Sequence, residues 1–555
     1  MHYLNSEIQV VRTLSDERTF KICFTYCKKH GVVNSALADV VNRICPSGYC
    51  FDSKVMIAVG LLRWFCNLQR EEIQLLLVAR GTPISTGEIS NLSEEFLLRF
   101  YVLHRKHIPM MKIVFLRNGG IALHVDGTGE AGDEIVFSAK DGITGITLDA
   151  QIMPSESKKY LKPFLKKLHD SFGIPIVVVR DMSKQIRDAV SETYPTVLQL
   201  ICHYHFVKNL GKILFKDQYE TLRTFIVDTK ILSQLAALKE KTLKGNISPD
   251  MLVIGECKWV ALAVEYLLWP RKKTSGYPFV LPYFEIMTRA MNIKTWVKRI
   301  VQWNADHNCA VRTVLTFSEK IGEIHKTKQV MRQYYQIKRI YGWFEEVRKI
   351  LDVRRHLSGN GQKNEPMDIK KVTNRLKKTL DGIEHEAAGL DKIFHKVSKT
   401  IAGQFQRHWD ELFAEVHDKN GDIVEIVRHN GIEERSHRWS RMHTRRRTGR
   451  SKTTNDMAKY GGLLAVLSNL ENKTYVEDVL SDVTDFVYEM QNVTSEEITD
   501  AKKLIKVHSR KRMVRSDKVR EELLRKFVDL LGNSEMRNDG SLEGWLYKLK
   551  NPTSE

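Results

Sequence analysis

The sequence predicts an α/β domain interrupted by a large all-helical block and preceded by a helical N-terminal region. Three observations carry this expectation. Between residues 120 and 215, short apolar or β-branched runs alternate with amphipathic stretches in the order β-β-β-α-β-α-β-α. From 216 to 423 the strand signal almost vanishes and long helical segments dominate. A very basic helix through Arg450 and an apolar stretch at 460–470 then follow.

At 555 residues the chain exceeds what one hydrophobic core organises, so several domains are expected. No apolar run approaches the roughly 20 residues of a membrane span. The opening Met1-His2-Tyr3-Leu4-Asn5-Ser6-Glu7 lacks the charged-then-apolar pattern of a secretion signal. A cytoplasmic, reducing location is therefore expected, with the eight cysteines as thiols. The 87 basic against 67 acidic residues give a net charge of +20, which suggests a polyanionic partner such as nucleic acid.

The elements follow in chain order. Residues 1–50 read as a helical N-terminal region, with helix expected around 16–29. Residues 51–107 read as a helix-turn-helix. There 70–78 repeats apolar residues at helical spacing, Arg80-Gly81-Thr82-Pro83-Ile84 breaks the pattern, and Ser85-Thr86-Gly87-Glu88 has capping-box spacing before a second helix over 89–103. A plain three-helix bundle would give the same pattern. Strands are expected at 121–125, 134–139 and 147–153. A helix follows over 158–172, with Leu161, Phe164, Leu165 and Leu168 on one face. The continuous apolar run 174–179 suits a strand buried on both faces, 183–194 a helix, 196–201 a strand and 206–215 a helix. Residues 216–423 form the all-helical insertion, with a Gly/Asn/Pro break at 358–366. Residues 424–475 return to the α/β domain, and 476–555 form a basic helical C-terminal region.

Two strand ends carry aspartates. Asp126 closes the first strand and Asp181 the fourth, and 181 − 126 = 55 residues separate them, enough for two strands and a crossover helix. Adjacent strand ends of a mixed sheet would bring both carboxylates to one edge. Close carboxylates need a shared proton or a cation, and oxygen-only donors suit Mg²⁺ or Mn²⁺. Two such ions about 4 Å apart can drive in-line displacement at phosphorus. Turn aspartates at strand ends are also common without any such role.

His124-Val125-Asp126-Gly127-Thr128, Val179-Arg180-Asp181-Met182-Ser183 and Ile201-Cys202-His203-Tyr204-His205-Phe206 together resemble the DDE transposases. The likeness is to prokaryotic insertion-sequence enzymes with an all-helical insertion, related to the Mutator-like and hAT groups. It implies an RNase H-like catalytic fold, DNA cleavage at transposon ends and 3′-hydroxyl strand transfer. It further implies two Mg²⁺ or Mn²⁺ ions, DNA end repeats and target DNA as partners, and a homodimer or larger synaptic assembly. Cys202 and His205 match the family's Cys-x-x-His pair, which implies an active-site support. The third acid follows the insertion in a pattern like T-N-N-x-x-E. Here His429-Asn430-Gly431-Ile432-Glu433-Glu434 places it on Glu434, with His429 and Gly431 departing from the pattern and Glu433 as the neighbouring alternative.

Behind that acid lie Arg435, Arg438, Arg441, Arg445, Arg446, Arg447 and Arg450, expected at a phosphate backbone. The basic stretch 502–525 is a second DNA contact or simply a soluble helix. His203 could be a surface residue. Cys23, Cys27, Cys45 and Cys50 read as core cysteines, with Cys23 and Cys27 at i, i+4 on a helix, and zinc as the alternative. Trp259, Trp269, Trp296 and Trp303 in the insertion read as core packing; the resemblance implies that one such tryptophan stacks on a base. The alternatives to an active transposase are an inactive, domesticated DNA-binding relative and an RNase H-like nuclease.

Overall fold

The computed structural model describes residues 2–27, 32–34, 44–45, 49–129, 134–244, 251–272, 276–306, 312–353, 367–450, 453–481, 483 and 485–502. Of the basic C-terminal stretch only residue 502 falls among these. The break at 358–366 also lies outside them.

The chain begins with strands, not a helix. β1 (His2–Arg12) and β2 (Glu17–Cys27) form an antiparallel hairpin extended by β3 (Val32–Asn34). The expected helix over 16–29 is thus corrected. Thr19, Phe20, Ile22, Phe24, Thr25 and Tyr26 are β-branched or aromatic and fit a pleated surface. The hairpin turn is closed by Thr13, whose N–H donates to the Asp16 carbonyl at 2.8 Å. Cys23 and Cys27 lie on this strand; their side chains are outside the described residues. Cys45 is buried beside Val11 and Ile22, its thiol donating to the carbonyls of Tyr49 and Phe51.

Helices α1 (Ser53–Gly60), α2 (Arg70–Val78), α3 (Thr86–Lys106) and α4 (Ile108–Arg117) follow. Ser85 and Glu88 form the reciprocal capping box at the start of α3. A helix, a glycine-bearing turn and a capped second helix follow in the predicted order, and α3 is buried over its second half. From Leu92 to His104 only Glu94 escapes burial, and Glu95 and Arg99 pair within the core at 3.0 Å.

The central sheet has the order β6-β5-β4-β7-β8, built from β4 (Ala122–Thr128), β5 (Ile135–Asp141), β6 (Thr147–Met153), β7 (Val177–Arg180) and β8 (Leu198–Ile201). β4, β5 and β6 are antiparallel neighbours, whereas β4–β7 and β7–β8 are parallel. Helices α5 (Lys158–Phe172) and α6 (Lys184–Thr193) are the crossovers. Leu161, Phe164, Leu165 and Leu168 of α5 are buried as the periodicity predicts. Phe51 to Phe115, the sheet residues Leu123, Val125 and Phe137, and Leu464 to Val493 form one hydrophobic core, so the N-terminal helices and the sheet fold as a unit.

Leaving the sheet, α7 (His203–Asp228) opens a helical region. It continues through α8 (Ile231–Lys244), α9 (Met251–Leu268), α10 (Pro282–Asp306), α11 (Arg312–Lys326), α12 (Lys328–Ile350), α13 (Ile369–Ala388) and α14 (Lys392–Phe413) around a second core. Trp296 and Trp303 are 60% and 41% exposed and share a cleft with Trp259, which corrects their expected core packing. Trp269 is also exposed. The chain then returns to the sheet through α15 (Gly431–Thr448) and α16 (Thr454–Leu467). No described helix is long and apolar enough to cross a membrane.

Candidate nucleic-acid cleft and acidic site

The register of β4 on β7 pairs Ala122 with Val177, Leu123 with Val178 and His124 with Val179. Each pair is offset by 55 residues. Continued two residues beyond His124, the same offset brings Asp126 level with Asp181, so the sequence spacing of the two aspartates equals the register of their strands. Asp126 is buried, and the Gly127 N–H donates to its carboxylate at 3.0 Å. Asp181 accepts from the Ser183 N–H at 2.7 Å at the start of α6, and burial raises its pKa.

A third carboxylate joins them that the sequence did not reveal. Glu156, in the loop before α5, lies so close to Gly127 that a Cβ there would clash with its Oε1. Burial raises the Glu156 pKa, and the charge of Asp181 raises it further. Its only sequence signal is indirect: the residue after Asp126 has no side chain to block the approach.

The N-terminus of α15 is tied to this edge by Asn430. Its backbone N–H donates to Cys202 Sγ at 3.1 Å, and its side-chain amide donates to the Val125 carbonyl at 3.0 Å. Its Oδ1 lies 3.1 Å from His124 Nδ1, which is therefore the protonated ring nitrogen. Cys202 thus braces the start of α15, whereas His205 lines the cleft beside Asp126. His203 is not a surface residue. It is buried, with its N–H on the Arg428 carbonyl and its ring 3.0 Å from the Leu412 carbonyl.

Glu433 is fully buried against the sheet and accepts from Ser138 Oγ at 2.5 Å. Burial raises its pKa to about 7, opposed by Lys140 and by the serine; burial likewise lowers the pKa of Lys140. Ser138 pairs with Asp126 across β4 and β5, so Glu433 sits one strand away from that aspartate. The side chain of Glu434 lies outside the described residues.

A cleft of about 570 Å³ opens over Asp126, Gly127 and Thr128, walled by Lys208, Arg438, Arg441 and Arg445. Arg441 also donates to Thr128 Oγ1. Of the seven arginines predicted to meet phosphate, these three reach the cleft. Arg435 is half-buried, and Arg446 and Arg450 are exposed outside its lining. Arg447 turns the other way. It is buried with its guanidinium 4.3 Å from the centroid of Trp64, because its position falls on the face of α15 that packs inward.

The oxygen donors present, aspartate and glutamate, match a hard divalent cation in type. Among the described residues no group of three His, Cys, Asp or Glu is arranged to hold a metal ion. This also leaves the cysteines at 45 and 50 without a described zinc set. No family model matches the chain, and no curated protein matches it.

Proposed function

We propose that the protein is a DDE-type DNA transposase, with the five-stranded sheet as an RNase H-like catalytic core. The observation that carries the reading is the equality of spacing and register. Continuing the register of β4 on β7 brings Asp126 level with Asp181, the residue that follows β7, and a cleft walled by arginines opens over Asp126. The sheet order β6-β5-β4-β7-β8, with the first three strands antiparallel and the last two parallel, is compatible with that fold.

The third acid is Glu434. Arg438, Arg441 and Arg445 follow position 434 by four, seven and eleven residues, so the helical repeat aligns it with the cleft wall. Position 433 instead shares a face with Ser440 and Thr444, which are buried, and with His437, which is buried beside Ser138 and also lines the cleft. Asp126, Asp181 and Glu434 would hold two Mg²⁺ or Mn²⁺ ions, which when bound supply Lewis-acid charge to a phosphodiester undergoing in-line displacement. Arg438, Arg441, Arg445 and Lys208 hold the DNA backbone across the floor, and the guanidinium forks fix its orientation. No side-chain nucleophile is required, since water and then a DNA 3′-hydroxyl attack. DNA ends and target DNA are the partners, and joining two ends calls for a dimer or larger assembly.

The test is cleavage of labelled DNA carrying the sequences that flank the gene, in Mg²⁺ and in EDTA. Metal-dependent cutting is expected for wild type, and its loss in Asp126→Asn, Asp181→Asn and Glu434→Gln. Sequence-specific binding by wild type with no cutting in Mg²⁺ or Mn²⁺ would sink the enzyme reading and leave a DNA-binding descendant. Preferential cutting of RNA–DNA hybrids would instead point to a hybrid nuclease.

A further inference from the structure

We propose that α7 carries an unpaired DNA strand from the acidic cleft to a second, tyrosine-lined cleft near its far end. The proposal rests on the transposase reading for the identity of its ligand. At its start, α7 contributes His205 and Lys208 to the cleft over Asp126. Further along, Lys216, Tyr219 and Arg223 line a cleft of about 700 Å³ together with Glu220, Tyr277 and Tyr283. Positions 205, 208, 212, 216, 219 and 223 advance by three or four residues at each step, so they share one face of the helix. Lys212, between the two clefts, is exposed. At about 1.5 Å per residue, His205 and Tyr219 are about 21 Å apart along the axis, a span of several nucleotides.

The chemistry of the far cleft suits a base and its phosphate. Tyr219 and Tyr277 are stacked, with ring centroids 5.8 Å apart and planes at 22°. Tyr219 is buried and Tyr277 is 37% exposed, so the pair presents a supported aromatic surface at the cleft. Lys216 and Arg223 bring two cations against the single carboxylate of Glu220, which pairs with Arg223. An aromatic platform beside a cationic stripe is how a single strand is held without sequence preference. A duplex keeps its base faces stacked on each other and cannot use such a platform. The strand in question is therefore the one freed or distorted near the cut.

The test uses the full-length protein in EDTA, which prevents cutting. Anisotropy titrations compare an oligo(dT) of about 15 nucleotides, within the length range such grooves occupy, with a blunt duplex. Tyr277→Ala is expected to weaken oligo(dT) binding about 5- to 150-fold, the range that loss of one stacked base spans. The same substitution should change duplex affinity less than about twofold, and Tyr277→Phe should retain both, since the ring carries the contact. Lys212→Ala with Lys216→Ala should lower the salt dependence of oligo(dT) binding. Unchanged melting of each variant guards against misfolding. Equal oligo(dT) affinity in wild type and Tyr277→Ala overturns the track, as does wild type that cuts element ends but does not bind oligo(dT). Binding of neither oligonucleotide nor duplex overturns the transposase reading along with it. Tyr277-dependent oligo(dT) binding supports the track even where no end cleavage is found.

Discussion

Arg445 and Arg447 stand two positions apart on α15, in surroundings that give them different work. Arg445 is exposed at the cleft. Arg447 is buried over Trp64, donates to Thr444 Oγ1 at 3.1 Å, and has its pKa lowered to about 10 by burial and then by Arg63. A desolvated cation–π contact is worth about 2 kcal/mol, so Arg447→Ala should destabilise the fold by roughly 1–3 kcal/mol in urea unfolding. Arg445→Ala should leave stability within about 0.5 kcal/mol and, on the proposed transposase reading, weaken DNA binding uniformly across sequences, lowering the salt slope by about one. Equal stability losses in the two variants would remove the distinction. A run of arginines in sequence shows neither which face each occupies nor which is spent on packing. The same limit hid Glu156, whose approach to Gly127 is a contact between loop and strand that no local pattern encodes.

At the scale of elements, α15 is placed by one residue. Asn430 links β4 to the start of the helix through its amide and to Cys202 through its backbone. Asn430→Ala removes both side-chain bonds and leaves the buried Val125 carbonyl and His124 ring without those partners, at a cost of about 1–3 kcal/mol. The first turn of α15 would also lose its anchor to the strand carrying Asp126. If the protein is the proposed transposase, DNA cleavage should therefore fall further than duplex binding, measured side by side on the folded variant. A parallel fall in both would mean that Asn430 only stabilises the fold. The elements themselves were largely legible in sequence. The strands of the central sheet and α5 follow their predicted stretches, because buried parallel strands and one-sided helices leave strong periodic signals. The N-terminal hairpin reads as helix when only its apolar content is weighed, yet Phe20, Ile22, Phe24 and Tyr26 alternate with Thr19, Lys21, Cys23 and Thr25 as a strand requires. Its pairing with β1 is settled by tertiary register instead.

At the scale of the whole molecule, burial decides what local pattern leaves open. The segment 70–106 has the turn and capping box of a helix-turn-helix, yet α3 shares its core with the sheet and with the C-terminal helices. His104 shows how closely these parts are joined. Its ring Nε2 lies 3.0 Å from the Leu148 carbonyl of β6, and its Nδ1 lies 3.0 Å from the hydroxyl of Tyr475. The carbonyl can only accept, so Nε2 carries the proton and Nδ1 accepts from the tyrosine, which makes the neutral ring the fully bonded form. Burial pushes the His104 pKa down to about 4. A folded pKa below the unfolded value of about 6.5 means that the unfolded state binds the proton first. The contribution of His104 is therefore fully present above pH 6.5 and is lost as pH falls toward 4, on the order of 3 kcal/mol in all. In urea unfolding across this window, His104→Gln should be less stable than wild type at neutral pH, with the gap narrowing as the pH falls. A gap that stays constant with pH would mean that His104 titrates alike in both states and that its burial does not hold the ring neutral.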